Sequence, residues 1–183
     1  MICLRQIVFP LYYERKHGRK RMKIICEGIE LSDAVMKVVK ACSTKTTNPI
    51  LECIKISADN DVVELIATDG EIAIEKKIRA EVLEGGAVCV PGKYFSDFIK
   101  KLENCQITLA TENEKLNINY GESESSLQVL SAEDFPAIDL SVNENRVEIL
   151  AKDLKELIAK TTFCCAQDDS HPVLKGCLVK TCE

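Results

Sequence analysis

Glu30–Ile56 reads ELSDAVMKVVKACSTKTTNPILECIKI, and Asp153–Val179 reads DLKELIAKTTFCCAQDDSHPVLKGCLV. The second stretch follows the first by 123 positions, without a gap, and keeps its apolar skeleton. Leu31, Ala34, Val35, Val38 and Cys42 return as Leu154, Leu157, Ile158, Thr161 and Cys165. Pro49, Leu51 and Lys37 return as Pro172, Leu174 and Lys160. The spacing of the apolar positions is that of one helix face. The Pro-x-Leu that follows is expected to end a loop and open a strand. A self-match at fixed offset is an organisational signal. This offset is too long for a solenoid repeat and has the size of a small domain. We therefore expect two copies of one domain, the second reaching only its first helix and strand.

Working outward, Lys23–Glu27 has a short strand pattern closed by Gly28, and a helix is expected from about Glu30 to Cys42, followed by a polar loop at 43–49. Three β-rich runs follow, Glu52–Ala58, Val62–Thr68 and Glu71–Ala80, joined by tight-turn chemistry at Asp59-Asn60-Asp61 and Asp69-Gly70. Ala87–Val90 is a further strand. A second helix is expected from Pro91-Gly92 to Leu102, with Phe95, Phe98, Ile99 and Leu102 as its apolar face. Strands at Gln106–Thr111, Lys115–Tyr120 and Glu124–Leu130 come next, then a connector at 131–142 and a strand at Val147–Leu150. The order is strand, helix, three strands, twice over. This is an α+β domain with a pseudo-duplication inside it. The expected divisions are an extension at 1–21, a first domain at 22–143 and the start of a second at 144–183.

Composition narrows the function classes. A hydrophobic share of 46% suits a packed core, and no apolar run reaches the roughly 18 residues a membrane-spanning helix needs. Of the ten cysteines, none is spaced C-x-x-C, and only two histidines exist to complete a metal set. Cys26, Cys42, Cys53, Cys89, Cys105 and Cys177 sit among apolar residues and are expected to be small buried hydrophobes in a reducing cytoplasm. Cys164-Cys165 makes a poor redox pair, because adjacent helical residues point in different directions. Residues 1–21 carry six Lys/Arg and one acid; removing these from the totals of 24 and 29 leaves 18 basic and 28 acidic residues in 22–183. In 1–21 the apolar part precedes the basic cluster, the reverse of a secretory signal. Met22 is a credible start, which would make the extension dispensable. So acidic a body is no conventional base reader, and contact with nucleic acid would need a local basic face.

Several motifs, in order, resemble the N-terminal half of the bacterial replicative sliding clamp, the beta subunit of DNA polymerase III. They are MKI at the start of the domain, TNPILECIKI at 47–56, LIATDGEIAIE at 65–75, VPGKYFSDFIKKL at 90–102, AEDFP at 132–136 and HPVLKGCLV at 171–179. The resemblance spans Met22–Lys180. It implies the DNA-clamp fold: a homodimeric ring of three-domain subunits, helices lining the hole and sheets outside. DNA polymerase III rides that ring along double-stranded DNA, and a clamp loader places it there. It further implies that most of the second domain and all of the third lie beyond Glu183, so that this chain alone would be an incomplete clamp unable to close a ring. Leu154, Leu157 and Ile158 would then lack burial partners. Leu174 matches one wall of the family's partner-peptide pocket. Two features depart from the pattern. His171 stands where the family commonly has arginine, and Glu124, Ser125 and Ser126 stand where many members have basic and aromatic interface residues.

No covalent chemistry is expected. There is no G-x-x-x-x-G-K loop and no paired-histidine metal motif, so neither cofactor nor metal is implied. Asp168-Asp169-Ser170-His171 supplies an acid, a hydroxyl and an imidazole, but in sequence within a polar loop that matches a plain loop of the first copy. The lysines off the helix cores, Lys37, Lys40, Lys45, Lys93, Lys100, Lys101 and Lys160, read on their own as a solvated helix face. The resemblance makes them DNA-binding candidates, with Lys45 and Lys93 on positions that face DNA in clamps. The alternatives are a non-catalytic α+β interaction module that merely shares the fold, or an inactive fragment of a broken clamp gene.

Overall fold

A computed structural model describes residues 21–102, 104–138, 149–168 and 171–180. The extension at 1–20 lies outside the described residues. The chain divides into two compact units, Met1–Ile138 and Asp139–Glu183. The expected boundary near Glu144 falls outside the described residues.

The first unit is built by one rule used twice. Strand β1 (Lys23–Glu27) leads into helix α1 (Gly28–Val38), then β2 (Cys53–Asp59), β3 (Val62–Thr68), β4 (Ala73–Arg79) and the short β5 (Glu81–Glu84). Strand β6 (Gly86–Pro91) leads into helix α2 (Gly92–Ile99), then β7 (Gln106–Glu112), β8 (Lys115–Tyr120), β9 (Ser123–Gln128) and the short β10 (Leu130–Ser131). The sheets run β5-β1-β7-β8-β9 and β10-β6-β2-β3-β4, with antiparallel pairing. Exchanging the two halves converts one order into the other. Each half thus donates its first strand to the other half's sheet, which ties the halves into one core. The two helices start 64 residues apart, and at that offset Ser32-Asp33 recurs as Ser96-Asp97.

The turns follow local chemistry. Asp59 pairs with Val62 across Asn60 and Asp61, both at positive φ, 45° and 60°. That is the two-residue turn whose twist matches the strands. Asn113 and Glu114 repeat it between β7 and β8, at 49° and 62°. Between β3 and β4, Asp69 Oδ1 accepts from the N–H groups of Glu71 and Ile72, both at 2.9 Å. These two backbone donors hold the Asp69 carboxyl below its usual range.

Helix α1 places Leu31, Ala34, Val35 and Val38 in the core with no exposure, and α2 does the same with Phe95 and Ile99. Phe98 is half-buried, edge-on to Tyr120 with centroids 5.7 Å apart. A smaller cluster of Ile50, Cys53, Ile66, Cys89 and Phe135 covers the opposite face of the β2-containing sheet. The AEDFP motif thereby has a packing role, with Lys55 Nζ 5.6 Å above the Phe135 ring. Met22 is buried, and its N–H donates to Thr111 Oγ1 at 2.7 Å. Because Val35 is fully buried, Val35→Ala should cost roughly 1–3 kcal/mol in urea unfolding. Lys37→Ala, on the exposed side, should leave the midpoint unchanged. The reverse order would put the helix in the wrong phase.

Several expectations are corrected. Gly28 opens α1 rather than closing β1. Pro49 opens a 3-10 turn, Pro49–Glu52, and the strand begins only at Cys53. The expected strand Glu71–Ala80 starts at Ala73, because Asp69–Ile72 is spent on the turn. The run Glu124–Leu130 is broken at Val129, whose N–H turns to Glu114 O at 3.1 Å. Strand β5 was not expected. In the second unit Ile149 and Leu150 are outside any strand, and the rest of the strand expected at Val147–Leu150 is outside the described residues.

Helix α3 (Ala151–Thr161) lies 123 residues after α1 end for end, and the turns Thr162–Cys164 and Pro172–Lys175 lie 123 after Val39–Ala41 and Pro49–Glu52. The hydrogen bonds repeat too. Ser43 N–H donates to Leu51 O at 2.9 Å, and Ala166 N–H to Leu174 O at 3.0 Å. No strand follows the second turn among the described residues; 176–180 carries none. Leu154, Leu157 and Ile158 are 38%, 55% and 48% exposed. The helical module is therefore encoded locally, by its apolar spacing and backbone turn hydrogen bonds, whereas its strand appears where neighbouring strands pair with it.

Candidate nucleic-acid interface

Two glycines set how the helices approach. A Cβ on Gly28 would sit 2.0 Å from Leu102 O and 2.7 Å from Cys105 O, and the Gly28 N–H donates to Cys105 O at 2.8 Å. A Cβ on Gly92 would sit 2.7 Å from Cys42 Sγ and 3.1 Å from Glu52 O. Each helix thus begins against the segment that follows the other helix, and α1 packs on α2. The Gly92–Cys42 contact brings Lys93, in the first turn of α2, to the end of the helix pair from which the loop bearing Lys45 departs. The Gly28 contact places the start of α1 beside the turn that follows Lys100 and Lys101.

All seven candidate lysines are exposed, and they fall into two groups. Lys37 is held by Asp33 at 2.7 Å and Lys100 by Asp97 at 3.3 Å, while in the second unit Lys160 pairs with Glu156. The hydrogen bond from Lys37 holds the Asp33 carboxyl below its usual range. Exposed pairs of this kind, one helical turn apart, contribute little to stability. Lys40, Lys45, Lys93 and Lys101 have no ion-pair partner among the described residues. Four cations on adjoining helices, loops and turns, without fixed carboxylates, suit a polyanion better than a discrete acidic ligand. Lys160 is on the other unit and is not assigned to this surface.

Sequence reasoning missed Tyr94, 70% exposed beside Lys93. Its signal was available: it is the one aromatic of α2 off the apolar face. The groove lined by Glu27, Glu30, Asp61, Arg79 and Glu81, about 380 Å³ in volume, is predominantly acidic and suits no phosphate. The described residues contain no cluster of three or more His, Cys, Asp or Glu placed to hold a metal, and none of their helices is long and apolar enough to cross a membrane. Burial pushes the thiols of Cys26, Cys42 and Cys89 up to about 12, which makes them inert packing groups. Cys177, expected among them, is exposed. Leu174 is 58% exposed on its 3-10 turn, its N–H donating to His171 O at 3.0 Å. Asp169 and Ser170 lie outside the described residues.

Comparison with known proteins is consistent along the chain. A family model for the N-terminal domain of the DNA polymerase III beta subunit matches residues 22–139. The beta sliding clamp of Staphylococcus epidermidis is 36% identical over 148 residues, covering 75% of this chain and 39% of the relative. That of Bacillus subtilis is 30% identical over 164 residues, covering 85% and 43%. The solved sliding clamp of Bacillus subtilis superimposes with a TM-score of 0.78 at 29% identity, covering 84% of this chain and 43% of that one. The clamp of Caulobacter crescentus gives 0.77 at 28%, covering 85% and 43%. The chain spans about two-fifths of the length of these relatives. With the α+β architecture and the motif order, these matches place the chain in the DNA polymerase III beta subunit family, its residues 22–139 corresponding to that family's N-terminal domain.

Proposed function

We propose that this chain supplies part of a DNA sliding clamp, a non-catalytic processivity factor that holds duplex DNA without reading its sequence and tethers DNA polymerase III in the cytoplasm. The observation that carries this reading is the set of exposed lysines at 40, 45, 93 and 101, which have no ion-pair partner among the described residues, on a helix pair belonging to an otherwise acidic body. Lysine is a point charge that attracts phosphate and carries no base information. An acidic exterior with a basic helix layer confines that attraction to one surface. Contacts of this kind are weak and sequence-blind, which is what movement along DNA requires. Lys37 and Lys100, held by Asp33 and Asp97, are not counted among the phosphate contacts. Loading by a clamp loader and engagement of partner peptides beside Leu174 belong to the same reading, and ring closure with a second subunit belongs to it for a full-length family member.

Fluorescence anisotropy tests it. The chain should bind two duplexes of unrelated sequence with equal affinity. Four phosphate contacts should make log K fall with log salt at a slope of about −3.6. A sequence preference of tenfold or more, or affinity independent of salt, would contradict it and favour an interaction module of another kind.

A further inference from the structure

In the second unit two thiols face each other with no role in the reading above. Cys165 Sγ and Cys177 Sγ are 3.4 Å apart, in van der Waals contact. Cys165 follows the turn Thr162–Cys164, with its N–H donating to Thr162 O at 3.1 Å, and Cys177 stands two residues beyond the turn Pro172–Lys175. The Ala166 N–H to Leu174 O bond at 3.0 Å draws together the strands of chain that carry them. A disulfide requires the sulfurs to close to about 2.05 Å, a displacement that side-chain rotation near a solvent-exposed turn can supply. In the first copy the matching positions are Cys42 and Ile54, and Ile54 is wholly buried, so the pairing belongs to the second copy alone.

We propose that Cys165 and Cys177 are a modification site, a dithiol that closes to an intramolecular disulfide by exchange with a low-molecular-weight disulfide. The Cys177 thiolate attacks one sulfur of the small disulfide and expels the other as a thiolate, leaving a mixed disulfide on Cys177. Cys165 gives its proton to water and attacks Cys177 Sγ, expelling the second small thiolate. Two protein thiols are oxidised and one small disulfide is reduced to two thiols. Cys177 Sγ donates to Thr161 Oγ1 at 3.6 Å and touches Cys165 Sγ, and these side-chain hydrogen bonds hold the Cys177 thiol below its ordinary value, while the contact with Cys177 raises that of Cys165. This assigns attack to Cys177 and resolution to Cys165. Closure ties the end of the turn Thr162–Cys164 to the segment after the turn Pro172–Lys175, which carries Leu174.

The test uses the full chain, incubated with oxidised glutathione, blocked with N-ethylmaleimide and digested with trypsin without reductant. Cleavage after Lys160, Lys175 and Lys180 separates residues 161–175 from 176–180. The expected product, in more than half of the monomeric chain, is these two peptides joined, lost on treatment with dithiothreitol. The link should vanish in Cys165→Ser and Cys177→Ser and survive in Cys164→Ser. Glutathione left on Cys177 without a cross-link would overturn the proposal. So would a link surviving in Cys165→Ser, or one formed only between chains.

Discussion

Gly28→Ala should lower the stability of the first unit by about 3 kcal/mol or more, at the upper end of what overpacking costs. The added methyl would meet Leu102 O at 2.0 Å and Cys105 O at 2.7 Å, far inside contact distance. Neither carbonyl yields easily. Leu102 O accepts from Cys105 N–H at 3.2 Å, and Cys105 O from Gly28 itself at 2.8 Å. Relief requires α1 to move away from the turn after α2, which opens the core that Leu31 and Phe95 fill. For a unit of this size the thermal midpoint should fall by on the order of 10 °C. Gly92→Ala, at the related position, should cost less, because its nearest obstacle is the Cys42 side chain at 2.7 Å, which has a rotamer to change. Equal midpoints for Gly28→Ala and the parent chain would contradict the close approach of the helices.

Replacing Lys40, Lys45, Lys93 and Lys101 together by glutamine should remove most of the affinity for duplex DNA. Four phosphate contacts correspond to a loss of roughly a hundredfold in affinity between 50 and 200 mM salt, and the salt slope of the variant should approach zero. Single variants should each reduce the slope by about one, uniformly across sequences. None of the four changes touches the core, so the thermal midpoint should stay where it is. The matching control is Lys77→Gln on β4, where Lys77 is engaged by Glu64 at 3.2 Å and Glu75 at 2.7 Å. That control should bind DNA as the parent does.

Much of this fold was legible because its elements are locally coded. The periodicity of Leu31, Ala34, Val35 and Val38 located the helix face, and Asn60-Asp61 located the tightest turn. The 123-residue repeat proved to be structural down to individual hydrogen bonds. The exchange of first strands between halves was not legible. Nothing in KIICE says that Ile25 pairs with Thr108 of β7 rather than with a residue of β2. The duplication inside the first domain was legible in the order of elements, but its 64-residue offset was not: Leu31, Ala34, Val35 and Val38 fall on Phe95, Phe98, Ile99 and Leu102, while few identities survive beyond Gly28 with Gly92 and the Ser-Asp pairs. Strand β5 escaped because Glu81–Glu84 is short and runs into Gly85-Gly86. Cys177 was misplaced because burial was inferred from its apolar neighbours Leu178 and Val179, themselves 82% and 81% exposed. For the candidate interface, sequence supplied the lysines. The division into carboxylate-paired and unpaired members depended on side-chain geometry, since Asp33 and Asp97 could each have served more than one neighbour.

Lysine footprinting on DNA addresses the central claim most directly. The chain is treated with an acetylating reagent at low salt, with and without a saturating duplex, and modification is quantified at each lysine by mass spectrometry. The account predicts protection of Lys40, Lys45, Lys93 and Lys101 by at least several-fold, lost at high salt, with Lys77 and Lys115 on the strands unchanged. Protection of the strand lysines with none at the helices would contradict it, and would place DNA on the sheets rather than on the helix pair.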